Sequence, residues 1–322
     1  MSDPSIFIKI EAAVRALKAG ELVAIPTETV YGLAADAMNI DAVRKIFDLK
    51  GRPADHPLIV HIASAENIKD WAKDVPAVAY QLADKFWPGP LTLILSKRDE
   101  VPELVTGGQN TVGLRSPNNS LTMELLEKFG GGLAAPSANR YGRISPTAAQ
   151  HVSDEFGENT PLILDAGPCQ IGIESTIVDL SQSPARILRP GQISFEQLQI
   201  YLPDLAYGAE QSSPKVSGDK EAHYAPHTPL YMLELEQLIA MAKSKLSVVM
   251  CFDELPDGLV GLKMPKISAN YAQHLYANLT TLDHYQAEQI LIEQIPENNE
   301  WLASADRLKR AIVGSGHQLH ND

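Results

Sequence analysis

The feature that most constrains this chain is a recurring pair: a short apolar run, then a loop crowded with Gly, Pro and polar side chains. Runs at residues 22–25, 58–62, 91–95, 111–114, 162–164, 176–180 and 185–188 have the length of strands and are too short for ordinary helices. Helix-period stripes fall between some of them. Ile10, Ala13, Val14 and Leu17 precede Gly20, and Val43, Ile46 and Phe47 follow an expected cap at Asp41. A further helix is expected to open with Ser145 at the cap and Pro146 at the first helical position. Because helices separate some strands and not others, the pattern predicts an α/β fold built on a mixed sheet.

The rhythm fails over residues 203–229, a stretch rich in Pro, Gly and Ser that reads as an interdomain connection. It resumes with strands at 230–233 and 247–252 and helices at 236–245, 271–282 and 303–312. The expected organisation is a first domain at 1–202, a linker at 203–229 and a small C-terminal α/β domain at 230–322. A length of 322 residues suits two such domains.

The net charge of −13 makes broad, sequence-independent capture of nucleic acid a poor reading. Cys169 and Cys251 lie far apart and outside any CxxC pattern, so neither a disulfide framework nor a cysteine zinc site is expected. The first 20 residues lack the basic start, apolar run and cleavage site of a signal peptide, and no stretch reads as a membrane span. The expected location is a reducing cytoplasm.

The candidate chemistry sits in the post-strand loops, the usual place for ligand groups in α/β proteins. Lys50 and Arg52, stiffened by Pro53, can hold phosphate oxygens through a point charge and a forked donor; a solvated pair at a helix C-terminus is the competing reading. Residues 131–152 contain no acid, only Arg140 and Arg143 among Ser, Thr, Asn and Gly, which offers donors to an anion or forms a mobile surface loop. Arg115 and Arg189 each end a strand and can be ligand groups or surface ion-pair formers. Glu28 and Glu174 can ligate Mg²⁺ or act as bases, with a structural, hydrogen-bonded carboxylate the favoured reading. His61 is either a core histidine or a site group, and His317 and His320 read as a frayed tail. Pro226 between His223 and His227 spoils the helical spacing of a zinc pair. No P-loop, GxGxxG, HExxH or GxSxG pattern is present.

Taken in order, VAIPTETVYGL, FDLKGRPADHPLIVHI, FWPGPLTLIL, VGLRSPNN, LAAPSANRYGRISPT, ILDAGPCQIGIESTIVD and ILRPG, followed by HYAPHTP, resemble the YrdC family in its two-domain threonylcarbamoyl-AMP synthase branch. The resemblance covers essentially the whole chain. It implies a YrdC-like twisted mixed sheet around a concave anion-binding cavity, with a smaller Rossmann-like C-terminal domain. It also implies a reaction: L-threonine, bicarbonate or CO₂, and ATP with Mg²⁺ give threonylcarbamoyl-adenylate and pyrophosphate. A separate transferase complex then carries the threonylcarbamoyl group to tRNA, beside the anticodon. By motif position Thr29, His61, Arg115, Ala135 and Ser175 fall on the threonine and carbamate site. Lys50, Arg52, His56, Thr111, Ser137, Asn139, Ser145, Arg189, His223 and Tyr224 fall on the nucleotide site, with Lys50 and Arg52 catalytic and no protein-held metal. His56 stands where many members carry Asn, and the linker from Val216 lacks the family's Ser-Pro-Gly-Met start. The competing readings are an RNA-binding module of the same fold, disfavoured by the net charge, and a carbamoyl-transfer enzyme, whose zinc-finger and acylphosphatase-like regions have no counterpart here.

Overall fold

A computed structural model describes residues 4–218 and 220–316. His317 and His320 lie outside the described residues. The chain divides into two compact units: Met1–Arg140 with Pro146–Gln170 and Glu174–Asp219, and Tyr141–Ser145 with Ile171–Ile173 and Lys220–Asp322.

The first unit holds ten strands: β1 (Val23–Ile25), β2 (Gly32–Asp36), β3 (Ile59–His61), β4 (Leu91–Ser96), β5 (Thr111–Arg115), β6 (Leu133–Ala134), β7 (Leu162–Ile163), β8 (Thr176–Asp179), β9 (Arg186–Arg189) and β10 (Ala206–Tyr207). They form one sheet in the order β10-β9-β8-β4-β5-β3-β6-β2-β1-β7. The β3–β5 and β4–β8 pairs are parallel, whereas β4–β5, β8–β9 and β1–β2 are antiparallel, so the sheet is mixed as expected. β10 falls inside the expected linker and pairs in parallel with β9.

The helix Pro4–Lys18 buries Ile10, Ala13, Val14 and Leu17 against Val23, Ile25 and Leu133, as its periodicity requires. The helix Ile40–Lys50 differs from expectation at its start. Asn39 is the cap, its Oδ1 accepting the N–H groups of Asp41 and Ala42, so Asp41 lies in the first turn, where the helix dipole favours an acid. The expected helix start at Ser145 and Pro146 is also corrected: the helix runs Ala149–Phe156. Ser145 is wholly buried, and the Pro146 and Thr147 carbonyls accept N–H groups from Tyr31 and Cys169, so those carbonyls are spent on pairing with other segments and not on a helical turn.

The second unit contains β11 (Leu230–Leu233), β12 (Ser247–Cys251), β13 (Val260–Lys263) and β14 (Gln289–Glu293) in an all-parallel sheet of order β11-β14-β12-β13. Alternate side chains serve its two faces: Val249, Cys251 and Leu291 pack on the helix Leu235–Ala242. No helix among the described residues is long and apolar enough to cross a membrane.

Candidate active site

Helix periodicity aims Lys50 inward. Ala42, Val43, Ile46, Phe47 and Lys50 share the buried stripe of Ile40–Lys50, and the helix stops there because Gly51 takes the left-handed conformation (φ 62°). Lys50 is only 3% exposed, and its Nζ donates to the Ser137 and Asn139 carbonyls at 2.5 Å each. Burial, reinforced by the nearby Arg52 charge, holds its pKa well below the usual lysine value. Arg52 is likewise buried and donates from Nη2 to the Pro57 carbonyl at 3.0 Å. The solvated-pair reading of Lys50 and Arg52 is therefore wrong. His56 is buried in the same loop, with Nε2 3.8 Å from the Asp55 carboxylate.

A second cluster forms where strand ends meet. The β3–β5 register pairs His61 with Arg115. Since β4 runs antiparallel to β5 and parallel to β8, the starts of β4 and β8 lie beside the end of β5: Gly89 N–H donates to the Ser116 carbonyl, and Thr176 N–H to that of Pro90. The Arg115 guanidinium donates from Nε to the Gly89 carbonyl (3.2 Å) and from Nη1 to Thr29 Oγ1 (2.9 Å), while Nη2 lies 2.7 Å from Glu28 Oε1. Thr29 is set by a hydroxyl contact with Thr27 at 2.8 Å. His61 is 3% exposed, and burial, then the Arg115 charge, lowers its pKa to about 3, so the imidazole is neutral at pH 7. Glu28 and Arg115 are both buried, which removes the surface-ion-pair reading of Arg115 and supports the structural reading of Glu28.

Ser175 links this cluster to Arg189. Its hydroxyl contacts Thr92 Oγ1 at 2.7 Å, and Arg189 donates from Nε to the Ser175 carbonyl and from Nη2 to its Oγ, both at 3.1 Å. Nη1 of Arg189 reaches the Ser217 carbonyl at 2.7 Å. Gly191 lets the chain turn against β8: a Cβ there would lie 2.4 Å from Thr176 N, closer than any side chain permits.

Residues 26–31 tie the two clusters together. Thr29 reaches Arg115, while the Tyr31 carbonyl accepts the Ala138 N–H and Gly32 bridges to Ser137, next to the Lys50 carbonyls. Ala135 is held by an N–H bond to the Ile59 carbonyl, and Asn139 Nδ2 donates to the Arg140 carbonyl. Thr111 opens β5 opposite Ser96.

Ser145, His223 and Tyr224 belong to the second unit. There the Tyr224 ring stacks on Tyr276 at 5.6 Å with the Arg307 guanidinium 5.4 Å from its centroid, and the His223 ring meets it edge-on at 4.1 Å. Sequence reasoning missed Thr92, Asn118 and the pairing role of Glu28. The alternation of β4 and the Thr-Glu-Thr triplet were the available signals.

Buried cations gathered with Thr and Ser hydroxyls at the strand ends of a mixed sheet give an α/β protein whose interior has the chemistry to take a small anionic ligand. The Sua5/YciO/YrdC family model, described as "Telomere recombination", matches residues 15–191, and the model described as "Threonylcarbamoyl-AMP synthase, C-terminal domain" matches residues 193–312. The threonylcarbamoyl-AMP synthase of Pyrococcus abyssi is 38% identical over 330 residues, covering 97% of this chain and 95% of that protein. That of Bacillus subtilis is 37% identical over 95% of this chain and 93% of its own. The crystal structure of P. abyssi Sua5 complexed with L-threonine superposes with a TM-score of 0.89 at 38% identity, over 95% and 94% of the two chains. This chain belongs to the threonylcarbamoyl-AMP synthase family and carries the family's C-terminal domain.

Proposed function

We propose that the chain makes threonylcarbamoyl-adenylate from L-threonine, bicarbonate or CO₂, and MgATP at the two linked clusters of its first unit. The observation that carries the placement is Lys50: a buried ammonium held by two neutral carbonyls and pressed by a neighbouring guanidinium is stabilised by an incoming anion. Lys50 and Arg52, with Arg189, are assigned to the phosphates, and Arg115 with Thr29 and Ser175 to the carboxylate and hydroxyl of threonine.

The threonine nitrogen bonds to the carbon of CO₂ and loses a proton, giving a carbamate. A carbamate oxygen then attacks the α-phosphorus, and the bond from that phosphorus to the bridging oxygen breaks, releasing pyrophosphate. Lys50 and Arg52 offset charge building on the phosphate oxygens, and the remaining groups hold the reactants in line. The Mg²⁺ arrives with the nucleotide. The basic cluster of Lys50 and Arg52 suits a phosphate rather than a cation.

By motif position the same reading gives His56, Thr111, Ser137, Asn139, Ser145, His223 and Tyr224 to the nucleotide, and His61 and Ala135 to the amino acid. It assigns residues 1–202 to catalysis, 203–229 to an interdomain linker and 230–322 to an accessory domain. The product goes to a cytoplasmic transferase complex acting on tRNA. Labelled ATP, Mg²⁺, L-threonine and bicarbonate should yield pyrophosphate and the adenylate. Pyrophosphate release that needs neither threonine nor bicarbonate would sink this reading.

A further inference from the structure

We propose that Glu28 is a positioning residue for the threonine end of the site, fixing the plane of the Arg115 guanidinium before substrate arrives. This rests on the functional reading above. Arginine carries five N–H donors on a planar head at the end of a long, flexible stem. In this chain two directions of that head are hydrogen-bonded, Nε to the Gly89 carbonyl and Nη1 to Thr29, and a third, Nη2, is ion-paired with Glu28 at 2.7 Å without hydrogen-bond geometry. Three contacts on three nitrogens determine the plane in which the remaining N–H donors are offered.

Glu28 is the anchor that carries charge, and it is itself held. Its Oε1 takes Arg115, and its Oε2 accepts the Asn118 backbone N–H at 2.9 Å. Both side chains are almost fully buried, so the pair is little screened by water or salt. Asn118 lies three residues after Arg115, and its neighbour Asn119 caps the helix Ser120–Phe129, so the carboxylate is referenced to a helix start as well as to β5. The helix is referenced back, since Thr122 Oγ1 donates to the Pro26 carbonyl at 2.5 Å. A buried carboxylate hydrogen-bonded through one oxygen to a helix start and ion-paired through the other to a guanidinium is placed to orient that guanidinium. Glu28 therefore acts through Arg115.

The test is a KM comparison on the full-length enzyme. Glu28→Gln keeps the shape and an acceptor for Asn118 but loses the charged anchor, and should raise KM for L-threonine about 10-fold or more while KM for ATP stays within about 2-fold. Glu28→Asp keeps the charge one methylene short, and should fall between wild type and Glu28→Gln in KM for threonine. Thermal unfolding monitored alongside shows whether each variant is folded. An unchanged KM for threonine in folded Glu28→Gln would overturn the proposal, as would equal rises in both KM values. Failure of both variants to fold would also overturn it, by making Glu28 a structural anchor alone. The functional reading is tested separately: it falls if wild type shows no threonine-dependent turnover. If wild type turns over and Arg115→Lys weakens threonine while Glu28→Gln does not, only the role of Glu28 falls.

Discussion

A histidine buried beside an arginine has its charge state set by both neighbours, because neither the apolar surroundings nor the guanidinium tolerates imidazolium. His61 is the case here, with a folded-state pKa of about 3 against 6.5 when unfolded. The unfolded chain takes up a proton below pH 6.5 that the native state refuses until near pH 3. Native stability therefore falls as pH drops through that window, by up to ~1.4 kcal/mol per pH unit for this one group. His61→Gln should remove that contribution. Urea midpoints measured from pH 7 to pH 5 should show the variant losing ~1–2 kcal/mol less than wild type. Arg52→Ala is expected to abolish turnover with the fold retained, since its charge acts on Lys50 and its Nη2 donates to a backbone carbonyl rather than to a buried carboxylate. Near-normal pyrophosphate release in that variant would remove Arg52 from the site. Residue types and motif positions make Lys50, Arg52, Arg115 and Arg189 legible as candidates, but not their burial. A lysine at a helix end reads as solvated until the stripe of Val43, Ile46 and Phe47 is followed one turn further and found to contain it.

Elements with a strong period are legible in the sequence, and those without one are not. The helix Pro4–Lys18 contains the expected stripe from Ile10 to Leu17, and the strands around 91–96, 111–115 and 176–179 match expectation to within a residue or so, because each carries its own apolar signal. β2, with the sequence GLAAD, escapes such a reading, since Gly, Ala and Asp are poor strand formers. It is a strand because β1 and β6 flank it on both edges. β6 is two residues long and exists only through its partners β2 and β3. The close packing that follows can be tested at Gly132, just before β6. A Cβ there would lie 2.3 Å from the Trp71 ring and 2.7 Å from the Val60 side chain. Gly132→Ala should destabilise the protein by ~1–3 kcal/mol, read as a lowered denaturation midpoint with the slope unchanged.

At the scale of the whole molecule, a charge of −13 and cations held inside at Lys50, Arg52, Arg115 and Arg189 suit an enzyme for small anions and not an RNA-coating module. Gel-shift titrations with tRNA at about 0.15 M salt should show no stable complex, because nonspecific affinity depends on many exposed phosphate contacts. A tight, salt-sensitive complex would instead favour direct tRNA capture. The amino-acid sequence by itself determined the α/β class, the mixed sheet, the family and the residue types offered for the site. These are local quantities, written in periodicity, loop chemistry and the order of short motifs. The tertiary structure alone decided that Glu28 meets Arg115, that Ser175 meets Thr92 and Arg189, and that His61 sits against a guanidinium. The physical reason is separation along the chain: these pairs lie from 14 to 87 residues apart, and only sheet register, through the placement of one strand end beside another, brings them together.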